Sequence, residues 1–221
     1  MKRSLLIVAA AFLSGLLSGA GATPFAEASE TQIIVFHPQL PSGPAAEGSC
    51  SGGANTFEDA NAWRCFKGDE IYDPCFSIRD NPGAVICDAD PASGKAGFLV
   101  KLKDALPKHD AIDEAMAKRP WIMKLADGVI CRPMDGAVGT IAGIEAGWDC
   151  VGTKSCTDDD TKCIHVSVVD FNRGATWSAD EIRYKLMAHP KDDHDPWKLV
   201  ERKKVPITQV WGGEKVSQPP R

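Results

Sequence analysis

Past its first 28 residues the chain has no apolar run near the roughly 20 residues a membrane-crossing helix needs, which excludes a helical span there. Basic charge is also short. Lys and Arg number 25 against 30 Asp and Glu, a formal charge of −5, so the basic stripe of a nucleic-acid binder is missing. The absence of C-x-x-C removes a thioredoxin-like motif and a zinc ribbon. There is no H-E-x-x-H, no Walker-type loop and no G-x-G-x-x-G after a strand. Gly48-Ser49-Cys50-Ser51-Gly52 has the outline of a nucleophile elbow, but a cysteine holds the nucleophile's place and no strand leads into it. None of Asn55, Asn61, Asn81 and Asn172 begins a glycosylation sequon, in keeping with a bacterial product.

What is present is the composition of a globular protein, 43% hydrophobic and 25% charged, with an export signature in front. Lys2 and Arg3 precede an apolar stretch from Leu5 to Leu17, and small residues follow. Ala20-Gly21-Ala22 and Ala26-Glu27-Ala28 compete as cleavage sites, so residues 1–28 are expected to be a signal peptide. No membrane span is expected after cleavage. The product is expected to be secreted or periplasmic.

Export decides how the eight cysteines are read. Cys50, Cys65, Cys75, Cys87, Cys131, Cys150, Cys156 and Cys163 all lie past the signal, and an oxidising compartment favours disulfides over thiols. Eight cysteines allow 105 pairings. Short loops close most readily, which favours Cys50–Cys65, Cys75–Cys87, Cys131–Cys150 and Cys156–Cys163. Two clusters result, residues 50–87 and 131–163.

The expected fold class is mainly β (α+β): an antiparallel sheet domain with one or two short helices, stapled by disulfides. Residues 29–49 look like a flexible lead-in, apart from the β-like run Ile33 to Phe36, and residues 50–215 form a single domain. One helix is expected over Thr56 to Phe66, where Thr56 and Asp59 resemble a cap and Phe57, Ala60 and Trp63 recur at helical spacing. A second is expected over Asp110 to Lys118, stopped by Pro120. These would make the part before about residue 110 a helical subregion. Strands are expected around the turn Asp127-Gly128, with Trp121, Met123 and Leu125 alternating before it and Val129 to Cys131 after it. Asp135-Gly136 marks another turn. Further strands are expected over Gly143 to Cys150, Cys163 to Phe171, Trp177 to Met187, Trp197 to Arg202 and Val205 to Trp211. In Trp177 to Met187, Ile182, Tyr184 and Leu186 would face the core while Glu181, Arg183 and Lys185 face water.

Several of these residues fall into a longer pattern. Trp63-Arg64-Cys65 is followed, five residues on, by Ile71-Tyr72-Asp73-Pro74-Cys75-Phe76, then by Cys87 near Asp90-Pro91. Pro120-Trp121, Gly128 to Cys131, Cys150 and a strand ending at Trp211 complete it. This pattern resembles uncharacterised, cysteine-rich, secreted or extracytoplasmic bacterial proteins, many of them actinobacterial, over roughly residues 50–211. The chain departs from them by adding Cys156 and Cys163 and a polar insertion around residues 188–196. The resemblance implies a disulfide scaffold and export. It carries no activity.

Two polar stretches could hold metal. Cys156, Cys163 and His165 could be imagined as zinc ligands, but thiolate ligands need reduced cysteines, and a disulfide closing an acidic loop is the simpler account. Asp158, Asp159 and Asp160 could offer oxygen ligands to calcium, yet without the spacing of an EF-hand loop they read more simply as a solvated turn. His189, Asp192, Asp193, His194 and Asp195 could chelate a divalent ion, against the usual meaning of such composition as a polar loop between prolines. No other cofactor is expected. Of the six tryptophans, Trp63 and Trp121 sit in periodic patterns and are expected in the core. Trp177, Trp197 and Trp211 begin or end strands and are the candidates for a binding surface. The run Glu201 to Lys204 reads as a wet strand end that resists edge pairing.

These features favour an exported, disulfide-stabilised binding or interaction protein over an enzyme, with an unknown protein, peptide or cell-envelope glycan as target. The second reading is a secreted hydrolase acting on cell-envelope polymer through a carboxylate pair, which spacing alone does not select. The third is a calcium-dependent structural module. No catalytic residue is named by the sequence.

Overall fold

The computed structural model describes residues 29–109, 111–134, 140–151, 163–187 and 195–218. Among them the fold is mainly β and mostly antiparallel, and disulfides staple it. It is built as two strand rings joined along an aromatic seam. No described helix is long and apolar enough to cross a membrane.

β1 (Gln32–Val35) lies outside the first ring, whose five strands, β2 (Ala46–Gly53), β3 (Ala62–Lys67), β4 (Glu70–Ile78), β5 (Asn81–Cys87) and β6 (Phe98–Leu102), pair in chain order. The β2–β6 pairing is parallel and closes the barrel. Cys50 lies opposite Cys65, and Cys75 opposite Cys87, so each disulfide joins facing residues of neighbouring antiparallel strands. Both disulfides sit in the barrel core with Trp63, Val85 and Val100.

This ring overturns the expected helix over Thr56 to Phe66. Its second half is β3, and Trp63 is buried as a strand residue, because pairing on both sides by β2 and β4 outweighs weak helical spacing. The second expected helix is reduced to a single 3-10 turn at Met116–Lys118, while Asp110 lies outside the described residues. The helical subregion is therefore a barrel. Residues 29–49 carry β1 (Gln32–Val35) and the start of β2, with Cys50 inside β2.

The second ring follows from β7 (Ile122–Leu125), β8 (Ile130–Pro133), β11 (Trp148–Val151), β12 (His165–Asn172), β13 (Trp177–Leu186) and β14 (Trp197–Gly212). The pairings run β7–β8–β11–β12–β13–β14 and return from β14 to β7, so these six strands close on themselves. β7 and β8 make the hairpin expected at Asp127-Gly128, where Gly128 has φ +89° and the Asp127 carboxylate accepts Val129 N–H at 3.2 Å. The Cys131–Cys150 disulfide joins facing residues of β8 and β11. Cys163 is also disulfide-bonded; its expected partner Cys156 lies outside the described residues, as does Asp135-Gly136.

The two strands expected over Trp197 to Arg202 and Val205 to Trp211 are one strand of 16 residues. Glu201 to Lys204 therefore lie mid-strand, paired with Asp180 to Arg183, rather than at a strand end. Beyond Ile207, β1 takes over from β13 the edge of β14 and runs parallel to it. Thr31 marks the handover: its hydroxyl donates to Ile207 C=O at 2.6 Å and accepts Trp177 N–H at 2.7 Å. A small hairpin, β9 (Thr140–Ile141) and β10 (Ile144–Glu145), covers Ile182 and Tyr184 from outside.

That cover explains a second correction. Glu181 was expected on a wet face, yet it is 0% exposed. It stands opposite Val168 in the row shared by Trp177 and Ala179, inside the ring, while Ile182 and Tyr184 face the β9–β10 hairpin. Both faces of β13 are covered, so alternation does not separate dry from wet.

Candidate functional site

The seam between the rings is set by one carboxylate. Asp73, on β4, accepts the backbone N–H groups of Asn55 (3.0 Å) and Thr56 (3.2 Å), the Thr56 hydroxyl (2.9 Å) and Arg64 Nη1 (3.1 Å). Its side chain is only 2% exposed, and these donors satisfy it. The grip pins the loop between β2 and β3 and presents Phe57 to the second ring. Phe57 stacks on Trp121 with centroids 5.5 Å apart, and Phe36 and Phe76 complete the cluster at 5.1–5.3 Å from one another and from Trp121.

Three clefts open around this loop. The largest, 840 Å³, is floored by Phe36, Phe57 and Phe76 and edged by Leu40, Asp59, Asn61, Arg79 and Glu214. Leu40 is 69% exposed at its mouth. The second, 480 Å³, lies on the other side of Phe57 and is lined by Met116, Arg119 and Trp148, with Glu58, Glu145 and Asp170. The third, 460 Å³, holds Asp88, Asp90, Lys95 and Arg132. Its charges are already matched, Lys95 with Asp88 and Arg132 with Asp90.

No resolved shift among the described carboxylates marks a general acid. Burial opposes ionisation of Asp90, but Ser93, Arg132 and the Ala92 N–H together hold its carboxyl below its ordinary value. Asp180 is held low by Arg202, and Glu70 by Lys67. Every described carboxylate with a resolved shift therefore moves toward ionisation, whereas a glycosidase acid must move the other way. Burial pushes the Tyr184 hydroxyl up, and Ser167 meets it at 3.0 Å.

The sequence-predicted residues are scattered. Cys156, Asp158, Asp159, Asp160, His189, Asp192, Asp193 and His194 lie outside the described residues. Asp195 is occupied by backbone, accepting Ala142 N–H at 3.0 Å and Gly143 N–H at 2.7 Å. Cys163 is in a disulfide and so offers no thiolate to the imagined zinc set, and His165 stacks on Tyr184. Among the described residues the sulfurs of Cys65, Cys75 and Cys87 also cluster within 4.8 Å, but as disulfide sulfurs they are not thiolate ligands.

Trp177 and Trp211 are 2% and 6% exposed and belong to the core, not to a binding surface. Each starts or ends where strands hand over to one another, so chain position there does not mean surface. Trp197 is half-buried, with its ring met edge-on by His165 and Tyr184 at 5.2 Å. Arg119 was missed entirely, and no local motif announces it: its partner Trp148 lies 29 positions away.

No family model, curated protein or solved structure significantly matches this chain.

Proposed function

We propose that this is an exported, non-catalytic binding protein whose partners are polypeptides of the cell envelope or medium, seated at the seam between the two rings. The observation that carries the reading is the 840 Å³ cleft, an aromatic floor with a polar rim at the junction of two closed barrels. The signal-like residues 1–28 and the described cysteines, all in disulfides, support export. Rigid closed rings offer a fixed surface to a partner, with little ordering to be done on binding.

Polypeptide is favoured over glycan because sugar stacking needs an open aromatic plane. Trp177 and Trp211 are buried, and Trp197 is engaged by its neighbours. Among the described residues every carboxylate with a resolved shift is lowered, which does not favour the hydrolase reading, while Asp158, Asp159 and Asp160 of the calcium reading lie outside the described residues.

A photo-crosslinking residue at position 40, with one at position 198 on the far strand as control, tests the reading on the oxidised mature protein. Discrete polypeptides captured from envelope and culture fractions at position 40 alone are expected. Capture of polysaccharide only, or equal capture at both positions, refutes it.

A further inference from the structure

We propose that the 480 Å³ cleft beside Phe57 binds the terminal carboxylate of a peptide that ends in a basic residue, with Arg119 as the carboxylate's anchor. The proposal rests on the polypeptide-binding reading and assigns its ligand chemistry.

Arg119 sits on a rigid stub. Its N–H closes the 3-10 turn by donating to Met116 C=O at 2.9 Å, and Pro120 follows it, leading to Trp121, whose N–H donates to Trp211 C=O at 2.8 Å. The guanidinium lies 4.4 Å above the Trp148 ring. Trp148 itself is 1% exposed, and its indole N–H has no partner. Stacking of this kind fixes the plane of the guanidinium fork before any ligand arrives.

The fork is not neutralised. Arg132, Arg183 and Arg202 each pair with an aspartate, whereas Arg119 has no carboxylate partner among the described residues; its Nη1 meets only the weak acceptor Met116 Sδ at 3.4 Å. Three carboxylates nevertheless line the same cleft. Glu58 accepts Asp113 N–H at 3.1 Å and Asp170 accepts Phe171 N–H at 2.8 Å, while Glu145 stands at the rim. The cleft thus keeps one cation and three anions apart. A ligand carrying a carboxylate and an ammonium a side chain's length away completes both halves. The fork receives the carboxylate through two parallel N–H donors, and the rim receives the ammonium. Phe57 and Met116, the latter 42% exposed, offer apolar surface to the methylene stem between them. A cleft of 480 Å³ falls within the usual range for small ligands, about 300–1,000 Å³.

The test is titration calorimetry of the oxidised mature protein with Ala-Ala-Lys, its carboxy-terminal amide and Ala-Ala-Glu. Saturable binding of Ala-Ala-Lys is expected, weakened at least tenfold by amidation and by the Lys-to-Glu exchange. Arg119→Gln should abolish the difference between acid and amide, and Arg119→Lys should restore it in part. Lys198→Gln, on the far strand and outside all three clefts, should leave it intact. Equal affinity for acid and amide, or no saturable binding of Ala-Ala-Lys, overturns the assignment, and because the ligand series uses the native chain this holds even if the Arg119 variants fail to fold. Polypeptide capture at position 40 alongside either negative result would leave the binding function standing without this site.

Discussion

Arg183 Nε donates to Glu181 Oε1 at 2.6 Å, a contact between residues two apart on one strand, with the carboxylate fully buried. Lys203, facing Glu181 across β13 and β14, stands 3.7 Å off, and Glu181 Oε2 has no partner. The Arg183 side raises its own basicity: hydrogen bonding to Glu181 outweighs burial.

An asymmetry between the two partners follows. Removing Arg183 strands a buried carboxylate with only Lys203 nearby, a change that costs about 3 kcal/mol or more. Removing Glu181 leaves Arg183 paired with Asp127 at 2.8 Å, and a methionine there can fill the row beside Val168. Urea denaturation should show Arg183→Met losing about twice as much stability as Glu181→Met. The reverse order would contradict the burial of that carboxylate.

Stability should fall in acid partly through Asp90. Its folded pKa is depressed, so the contribution is full above the unfolded value, about 4, and disappears as pH falls through the folded value. Asp90→Asn should therefore cost about 1 kcal/mol at pH 7, and wild type and variant should converge once the pH lies below the folded Asp90 value, in urea titrations across pH. A gap independent of pH would mean that Asp90 acts by shape alone.

Much of the second ring was legible in the sequence because its strands alternate and its first hairpin carries Asp127-Gly128, a turn whose φ of +89° glycine accepts freely. The three described disulfides were legible for a related reason. Each bridges facing residues of neighbouring strands, so short sequence separation and spatial adjacency coincide. The first ring was hidden: Thr56, Asp59 and Trp63 mimic a capped helix, and nothing local reveals that β2 and β4 flank β3. Arg119 and Trp148 were hidden more deeply, since their meeting depends on ring closure rather than on spacing.

Two glycines with nearly equal backbone angles should respond unequally to alanine. Gly94 has φ +76° and open space around its would-be Cβ, so Gly94→Ala should cost about 1 kcal/mol of left-handed strain. Gly97 has φ +77°, but a Cβ there would lie 2.3 Å from Cys87 C=O and 2.8 Å from Ala89 N. Backbone atoms cannot yield as a side-chain tip does, so Gly97→Ala should cost about 3 kcal/mol or more. Thermal melts of the two variants decide it, and similar melting temperatures would exclude the close approach of Gly97 to Cys87.

The Asp73 grip on the loop between β2 and β3 should govern all three clefts together, since Thr56 and Phe57 line them between them. Asp73→Asn is nearly isosteric yet replaces one acceptor oxygen by an NH₂ group, which would meet the N–H groups of Asn55 and Thr56 or the Arg64 fork donor to donor. Such a mismatch at a buried site costs about 1–3 kcal/mol, and here its first effect is to free a loop rather than to unfold a barrel. Hydrogen exchange should show loss of protection at Asn55 and Thr56, with β4 and β5 unchanged. Unaltered protection at Asn55 and Thr56 would show that the Phe57–Trp121 stack, not the carboxylate, holds the seam.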